Sequence, residues 1–189
     1  RTALGAHGNQ RLIVALGRTS PEKGQDVLLD AFARIAPEAP DLHLALVGDG
    51  ADRQRLEERA AALGLADRVS LPGWRTDGPA CLAAAQVAVL PSRTEGLPIA
   101  LLEALAVGVP VVVTDVGAMA EVVEHGRAGL VVAPGDAAAL ARAITRVLAD
   151  PAAAKERAAH GRHRVAEHYS TRAQAKRLAE IYRTCAAGA

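Results

Sequence analysis

Short apolar blocks alternate along the chain with longer stretches in which apolar residues recur every three or four positions. Arg11-Leu-Ile-Val-Ala-Leu16 has no helical period and stops at Gly17, which predicts a buried strand. Val27, Leu28, Ala31, Phe32 and Ile35 fall on one helical face and predict a helix over Gln25 to Ala36, ended by Pro37 and Pro40. Leu42 to Val47 is a second strand, followed by Gly48-Asp-Gly50 and a charged helix over Asp52 to Leu63, closed by Gly64. The same rhythm continues with strands at Val69 to Leu71, Val87 to Leu90, Val109 to Thr114 and Leu130 to Val132. Helices are expected over Gly78 to Ala85, Pro98 to Val107 and Met119 to His125. Three more follow, over Ala137 to Leu148, Pro151 to Glu167 and Thr171 to Thr184, the last with Ser170 as N-cap.

Strands separated by helices make a parallel sheet covered on both faces, so the fold class is α/β, doubly wound. Residues 11–186 form one such domain. Residues 1–10 match neither period and read as a linker or an artificial chain end, and 187–189 as a tail. Composition sharpens this. Half of the 189 residues are apolar, yet the only aromatics are Phe32, Trp74, Tyr169 and Tyr182. The core must be aliphatic, which suits strands buried on both faces.

The formal net charge of +1 offers no global field for nucleic acid, and none is expected as a partner. The charge is uneven, however. From Pro151 onward there are eight Lys/Arg against three Asp/Glu. That basic stretch reads either as a solvated helix face or as a contact with another domain or with acidic lipid. Cys81 and Cys185 are too far apart for a zinc or redox motif and fit a reducing compartment. The longest apolar run, Ala104 to Val113, contains Gly108 and Pro110 and is too short to span a bilayer. The expected location is the cytoplasm, with a peripheral contact at the inner face of the plasma membrane open to the full-length protein.

Ligands of open parallel sheets bind at the carboxyl ends of the strands. The chemically distinctive residues all follow strands. Gly17, Arg18 and Lys23 follow the first, Gly48 and Gly50 the second, and Gly73, Trp74 and Arg75 the third. Ser92, Arg93, Glu95 and Gly96 follow the fourth, and Asp115 and Gly117 the fifth. Two cations beside glycines suit a phosphorylated ligand. Gly96, Leu97, Pro98 and Ile99 lead into a helix whose first N–H groups are free to meet an anion. Glu95 and Glu103 are acceptors suited to hydroxyl pairs, and Glu103 interrupts an apolar helix where a carboxylate is costly without a partner. Each residue also has a plainer reading. Arg18 and Lys23 could be solvated turn charges, Gly48 and Gly50 an ordinary strand-to-helix turn, and Trp74 a packing residue. The combination carries the argument.

These residues resemble glycosyltransferase family 4, whose enzymes pair two Rossmann-like domains in the GT-B fold with the active site between them. Gly17-Arg18 and Lys23-Gly24, Val47-Gly-Asp-Gly50 and Val69-Ser-Leu-Pro-Gly73 match in order. The most specific segment runs from Pro91 to Ala106 and holds Glu95 and Glu103, separated by seven residues. Pro110 to Gly117, Glu121 and Gly129 to Gly135 complete the run. The resemblance is to the C-terminal, donor-binding domain. It implies that Arg18 and Lys23 hold a donor diphosphate, and that Glu95 holds hydroxyls of the transferred sugar. The backbone from Gly96 to Ile99 would meet the sugar and phosphates, and Glu103 the ribose diol. Trp74 and Arg75 would frame the base.

The function so implied is metal-independent transfer, with retention, from a UDP-, GDP- or ADP-sugar to an acceptor, with no cofactor. A sugar phosphorylase, a sucrose or sugar-phosphate synthase relative, and a non-catalytic nucleotide-sugar-binding module are the alternatives. The sequence has no DxD motif and no His/Asp cluster for a metal. Ala118 departs from the family, which often has a second glycine there. The larger departure is that nothing before Arg11 could replace the family's N-terminal acceptor domain. The isolated chain is therefore expected to be inactive.

Overall fold

The computed structural model describes residues 1–187 of the chain. Six strands are present: β1 (Arg11–Leu16), β2 (Leu42–Val47), β3 (Val69–Gly73), β4 (Val87–Leu90), β5 (Val111–Thr114) and β6 (Leu130–Val132). Among the described residues eight α-helices accompany them: α1 (Gln25–Ile35), α2 (Arg53–Ala62), α3 (Gly78–Ala83), α4 (Ile99–Val107), α5 (Met119–Val122), α6 (Ala137–Ala149), α7 (Pro151–His168) and α8 (Thr171–Ala187). All pairings are parallel, in the order β3-β2-β1-β4-β5-β6.

The strand residues sort by alternation into two cores, as a pleated strand requires. Ile13, Leu44, Leu46, Val89 and Val112 face α1, α2 and α6, where Leu28, Phe32, Leu56 and Ile144 cover them. Leu12, Val14, Ala45, Val47, Leu90 and Val113 face the opposite way, under Leu82, Leu101, Leu105 and Met119. Both faces are thus buried, and the sheet is the doubly wound, Rossmann-like arrangement expected. β1 and β4 are neighbours although the chain runs outward from them in opposite directions, so the connections diverge there and leave a crevice at their carboxyl ends.

Four differences from the sequence reading have physical causes. Residues 1–10 do not hang free. Leu4 and Ala6 are buried in the second core, and Ser70 Oγ donates to the Leu4 carbonyl at 2.6 Å. That leaves Ser70 to accept from His43 Nε2 at 3.1 Å. Two apolar anchors are too few to produce a period. β5 starts at Val111, because Pro110 has no N–H for a ladder and the Val109 N–H closes the end of α4 on the Ala104 carbonyl. Pro98 is the N-cap of α4, one residue before its first turn.

The helix expected over Met119 to His125 breaks after Val122. Glu124 and His125 adopt φ of 46° and 50°, a costly conformation for side-chain-bearing residues. Arg164 of α7 offsets that cost by donating to the Glu121 and Val122 carbonyls and to Glu124 Oε1. The tail expected over 187–189 lies outside the described residues except for Ala187, which ends α8. Among the described residues, no helix is long and apolar enough to cross a membrane.

Candidate functional site

The loops after β1, β2, β4 and β5 are stitched to one another through their backbones. Gly48 N–H donates to the Gly73 carbonyl, Gly17 N–H to Val47, Thr19 N–H to Asp49 and Ala118 N–H to Gly96. Gly48 has φ of +139°, and a Cβ there would lie 1.9 Å from the Gly17 carbonyl oxygen. A Cβ on Gly117 would lie 2.2 Å from the Glu95 oxygen. Both glycines are therefore needed for one loop to lie against the next. Gly50 similarly faces the Thr19 carbonyl. In the structure, Gly48 and Gly50 give their space to the β1 loop. Gly96 differs, since a Cβ there meets nothing within 4 Å.

Side chains add a second set of ties. Arg93 grips Asp26 with two bonds of 2.8 Å and donates a third to the Pro21 carbonyl. Thr114 Oγ1 donates to the Ser92 carbonyl at 2.6 Å. Gln25, almost fully buried at the start of α1, donates from Nε2 to the Arg18 carbonyl at 3.0 Å. Arg93 and Thr114 hold the rim without lining the cavity, whereas Gln25 lines it. Gln25 had one visible signal, a polar residue in the first turn of an otherwise apolar helix face. Its Oε1 and the nearby Thr19 Oγ1 are buried without hydrogen-bond partners.

A cavity of about 150 Å³ opens at the β1–β4 crevice. Seven of the residues singled out from the sequence line it: Gly17, Arg18, Lys23, Ser92, Glu95, Pro98 and Ile99. Inside it, Lys23 Nζ lies 2.7 Å from Glu95 Oε1, in an ion pair whose side chains are only 22% and 10% exposed. Ser92 Oγ donates to the same oxygen at 2.8 Å. The two residues assigned from sequence to the diphosphate and to the transferred sugar thus neutralise each other here. Arg18 instead projects into solvent at 77% exposure and pairs loosely with Glu22 at 3.3 Å.

Gly48, Gly50, Trp74, Arg75, Gly96, Leu97 and Glu103 do not line the cavity. Glu103 is half-buried in α4, with Oε2 beside Gly78 of α3, and has no hydrogen-bond or ion-pair partner among the described residues. Trp74, just after β3, is 72% exposed. Arg75 is engaged by Asp77 through two bonds of 2.8 Å. Leu97 and Ile99 are exposed at 42% and 65%. Ala118 takes a φ of −87°, so glycine is not required at that position. Among the described residues, no three His, Cys, Asp or Glu side chains converge as a metal site would require.

Arg18 and Lys23, each already paired with a glutamate, stand with the start of α4 beside an open rim, and comparison with known proteins fixes the family. Residues 1–164 match the family model for glycosyl transferases group 1. The chain belongs to that family. The group 1 domain is 37% identical over 185 residues to the GDP-mannose-dependent alpha-(1-6)-phosphatidylinositol monomannoside mannosyltransferase of Mycolicibacterium smegmatis. That match covers 92% of this chain and 48% of the relative. Among solved structures it is similar to the sucrose-phosphate synthase of Thermosynechococcus elongatus, with a TM-score of 0.85 and 35% identity over 96% of this chain and 47% of that one. Anabaena HepE in complex with UDP superposes with a TM-score of 0.87 at 28% identity, over 93% and 49% of the two chains. The group 1 domain spans about half the length of the curated relatives it matches.

Proposed function

We propose that this chain is the donor-binding half of a retaining, metal-independent glycosyltransferase that moves a sugar from a nucleotide diphosphate sugar to an acceptor. The observation that carries the reading is the Lys23–Glu95–Ser92 cluster at the β1–β4 crevice, beside the first turn of α4. Arg18 and Lys23 stabilise charge building on the leaving diphosphate, an electrostatic role that fixed cations perform without reorganisation. The first N–H groups of α4 meet phosphate oxygens. Ser92 and Lys23 occupy one oxygen of Glu95 and leave the other for sugar hydroxyls. Glu103, without a protein partner, takes the ribose diol, and Trp74 and Arg75 frame the base. HepE, solved with UDP and with UDP-glucose, supports a ligand of this class.

The acceptor and the groups that activate it belong to a second domain. The match to about half of the mannosyltransferase relatives supports that division. So does α8, which leaves Leu178, Ile181 and Tyr182 exposed on one face. The full-length enzyme works in the cytoplasm, with a peripheral contact at the inner face of the plasma membrane. A sugar-phosphate synthase is the second reading, favoured by the 35% identity to the sucrose-phosphate synthase. Use of a phosphorylated sugar as acceptor would mark it.

Calorimetric titration of the chain with UDP, GDP and ADP, with and without EDTA, tests the proposal. Binding that survives EDTA is expected, and a strict need for magnesium overturns the metal-independent reading. A charge-assisted hydrogen bond contributes about 1.5–3 kcal/mol, so Lys23→Ala should weaken the bound nucleotide roughly ten- to a hundredfold. Unchanged binding would leave Lys23 a structural residue.

A further inference from the structure

We propose that Glu95 competes with the ligand's terminal phosphate for Lys23, so that the site favours the sugar-bearing donor over the free nucleoside diphosphate left after transfer. The inference rests on the donor-binding reading above and adds a cause of product release.

The geometry gives Glu95 this part. Lys23 Nζ and Glu95 Oε1 are 2.7 Å apart, and both side chains are largely shielded from water. Ser92 Oγ donates to the same oxygen and helps to hold the carboxylate in place. The two loops cannot part easily. The Arg93 N–H donates to the Glu22 carbonyl, and its guanidinium binds Pro21 and Asp26, so the segment carrying Lys23 and the segment carrying Glu95 are tied on either side of the pair. A phosphate that accepts another proton of the Lys23 ammonium is therefore brought to within two hydrogen-bond lengths of a fixed carboxylate.

What that carboxylate does depends on the ligand. In a nucleotide sugar the outer phosphate is a diester with one negative charge, and the sugar it carries offers O–H donors to the unused Glu95 Oε2. In the free nucleoside diphosphate the same phosphate has a second ionisation with a pKa of about 6, so it carries close to two charges at pH 7. It brings no donor for the carboxylate. Glu95 thus contributes attraction to the donor and repulsion to the product, with Lys23 shared between them. When the sugar leaves, the sign of the Glu95 contribution reverses, and the Lys23–Glu95 pair displaces the nucleotide.

Calorimetry of the chain and its Glu95→Gln variant with UDP, GDP, ADP and the matching nucleotide sugars tests this. Glu95→Gln should bind the free diphosphate roughly tenfold more tightly, the low end for a charge-assisted hydrogen bond, and the sugar-bearing donor more weakly. Glu95→Gln combined with Lys23→Met should lose that gain, because the gain runs through Lys23. If Glu95 only orients Lys23, both ligands weaken together. If Glu95 only holds the sugar, free nucleotide binding is unchanged. Either result overturns the proposal.

The unsubstituted chain gives a second measurement. Lowering the pH from about 7.5 to about 5.5 removes most of the extra phosphate charge. It should tighten UDP relative to UDP-glucose, where attraction to Lys23 alone predicts the reverse. Failure of every nucleotide to bind would overturn the donor-binding reading as well. Binding that is lost with Lys23→Met yet not improved by Glu95→Gln would overturn only this inference.

Discussion

Two glycines on the same rim illustrate how differently a single atom can weigh. At Gly48 a Cβ would meet the Gly17 carbonyl at 1.9 Å on a backbone with φ of +139°. Strain of this kind costs about 1–3 kcal/mol before the clash is counted. Gly48→Ala should lower the melting temperature by at least about 5 °C, using roughly 2–4 °C per kcal/mol for a chain of this size. Gly96 has open space where its Cβ would stand. Gly96→Ala should leave the melting temperature within about 1 °C, in line with surface substitutions of less than roughly 0.5 kcal/mol. On the proposed reading it should still weaken nucleotide-sugar binding. Melting curves with and without UDP-glucose separate the two effects, and equal melting losses would remove the distinction drawn between the two glycines.

At the scale of elements, the break after α5 is the segment whose order depends on another helix. Glu124 accepts from His160 Nε2 at 2.5 Å and from Arg164 Nη1 at 2.6 Å, both on α7. The His160 hydrogen bond first, and then the nearby Arg164 charge, hold the Glu124 carboxyl below its ordinary range. A lowered folded-state pKa means that the stabilisation is full above the ordinary carboxylate pKa and disappears as pH falls through the lowered one. Glu124→Gln should therefore melt below the unsubstituted chain at pH 7, with the gap closing toward pH 3 (roughly the lower carboxylate range). A gap that persists at low pH would mean that the charge of Glu124 is not what holds the turn.

This break was not legible in the sequence, because the apolar pattern of Met119, Ala120, Val122 and Val123 continues smoothly while the restraint comes from Arg164, about forty positions away. Val109 misled for the opposite reason, being apolar but part of a helix end. The strands themselves were legible, since two buried faces leave short uninterrupted apolar blocks. Around the cavity, the Gly17–Gly24 and Glu95–Glu103 spacings located both loops. Sequence could not reveal that Lys23 and Glu95, 72 positions apart, already satisfy one another.

The molecule as a whole leaves one apolar stripe exposed. Leu178, Ile181 and Tyr182 stand 51%, 51% and 71% exposed along α8. They stand outside this chain's two cores, so replacing all three with Ser should lower its melting temperature by no more than about 6 °C, given surface effects of roughly 0.5 kcal/mol or less for each. A larger loss would show that the stripe packs within the chain. The rim offers the opposite contrast of fixed and free parts. Its shape comes from main-chain bonds among Gly17, Thr19, Gly48, Gly73, Gly96 and Ala118. Trp74, Leu97 and Ile99, the outward-facing side chains, bear none of that load. Such a scaffold is open to retargeting. Randomised libraries at positions 74, 97 and 99 should return mostly folded proteins, so on the proposed reading a new donor preference could be selected there without a compensating change beneath.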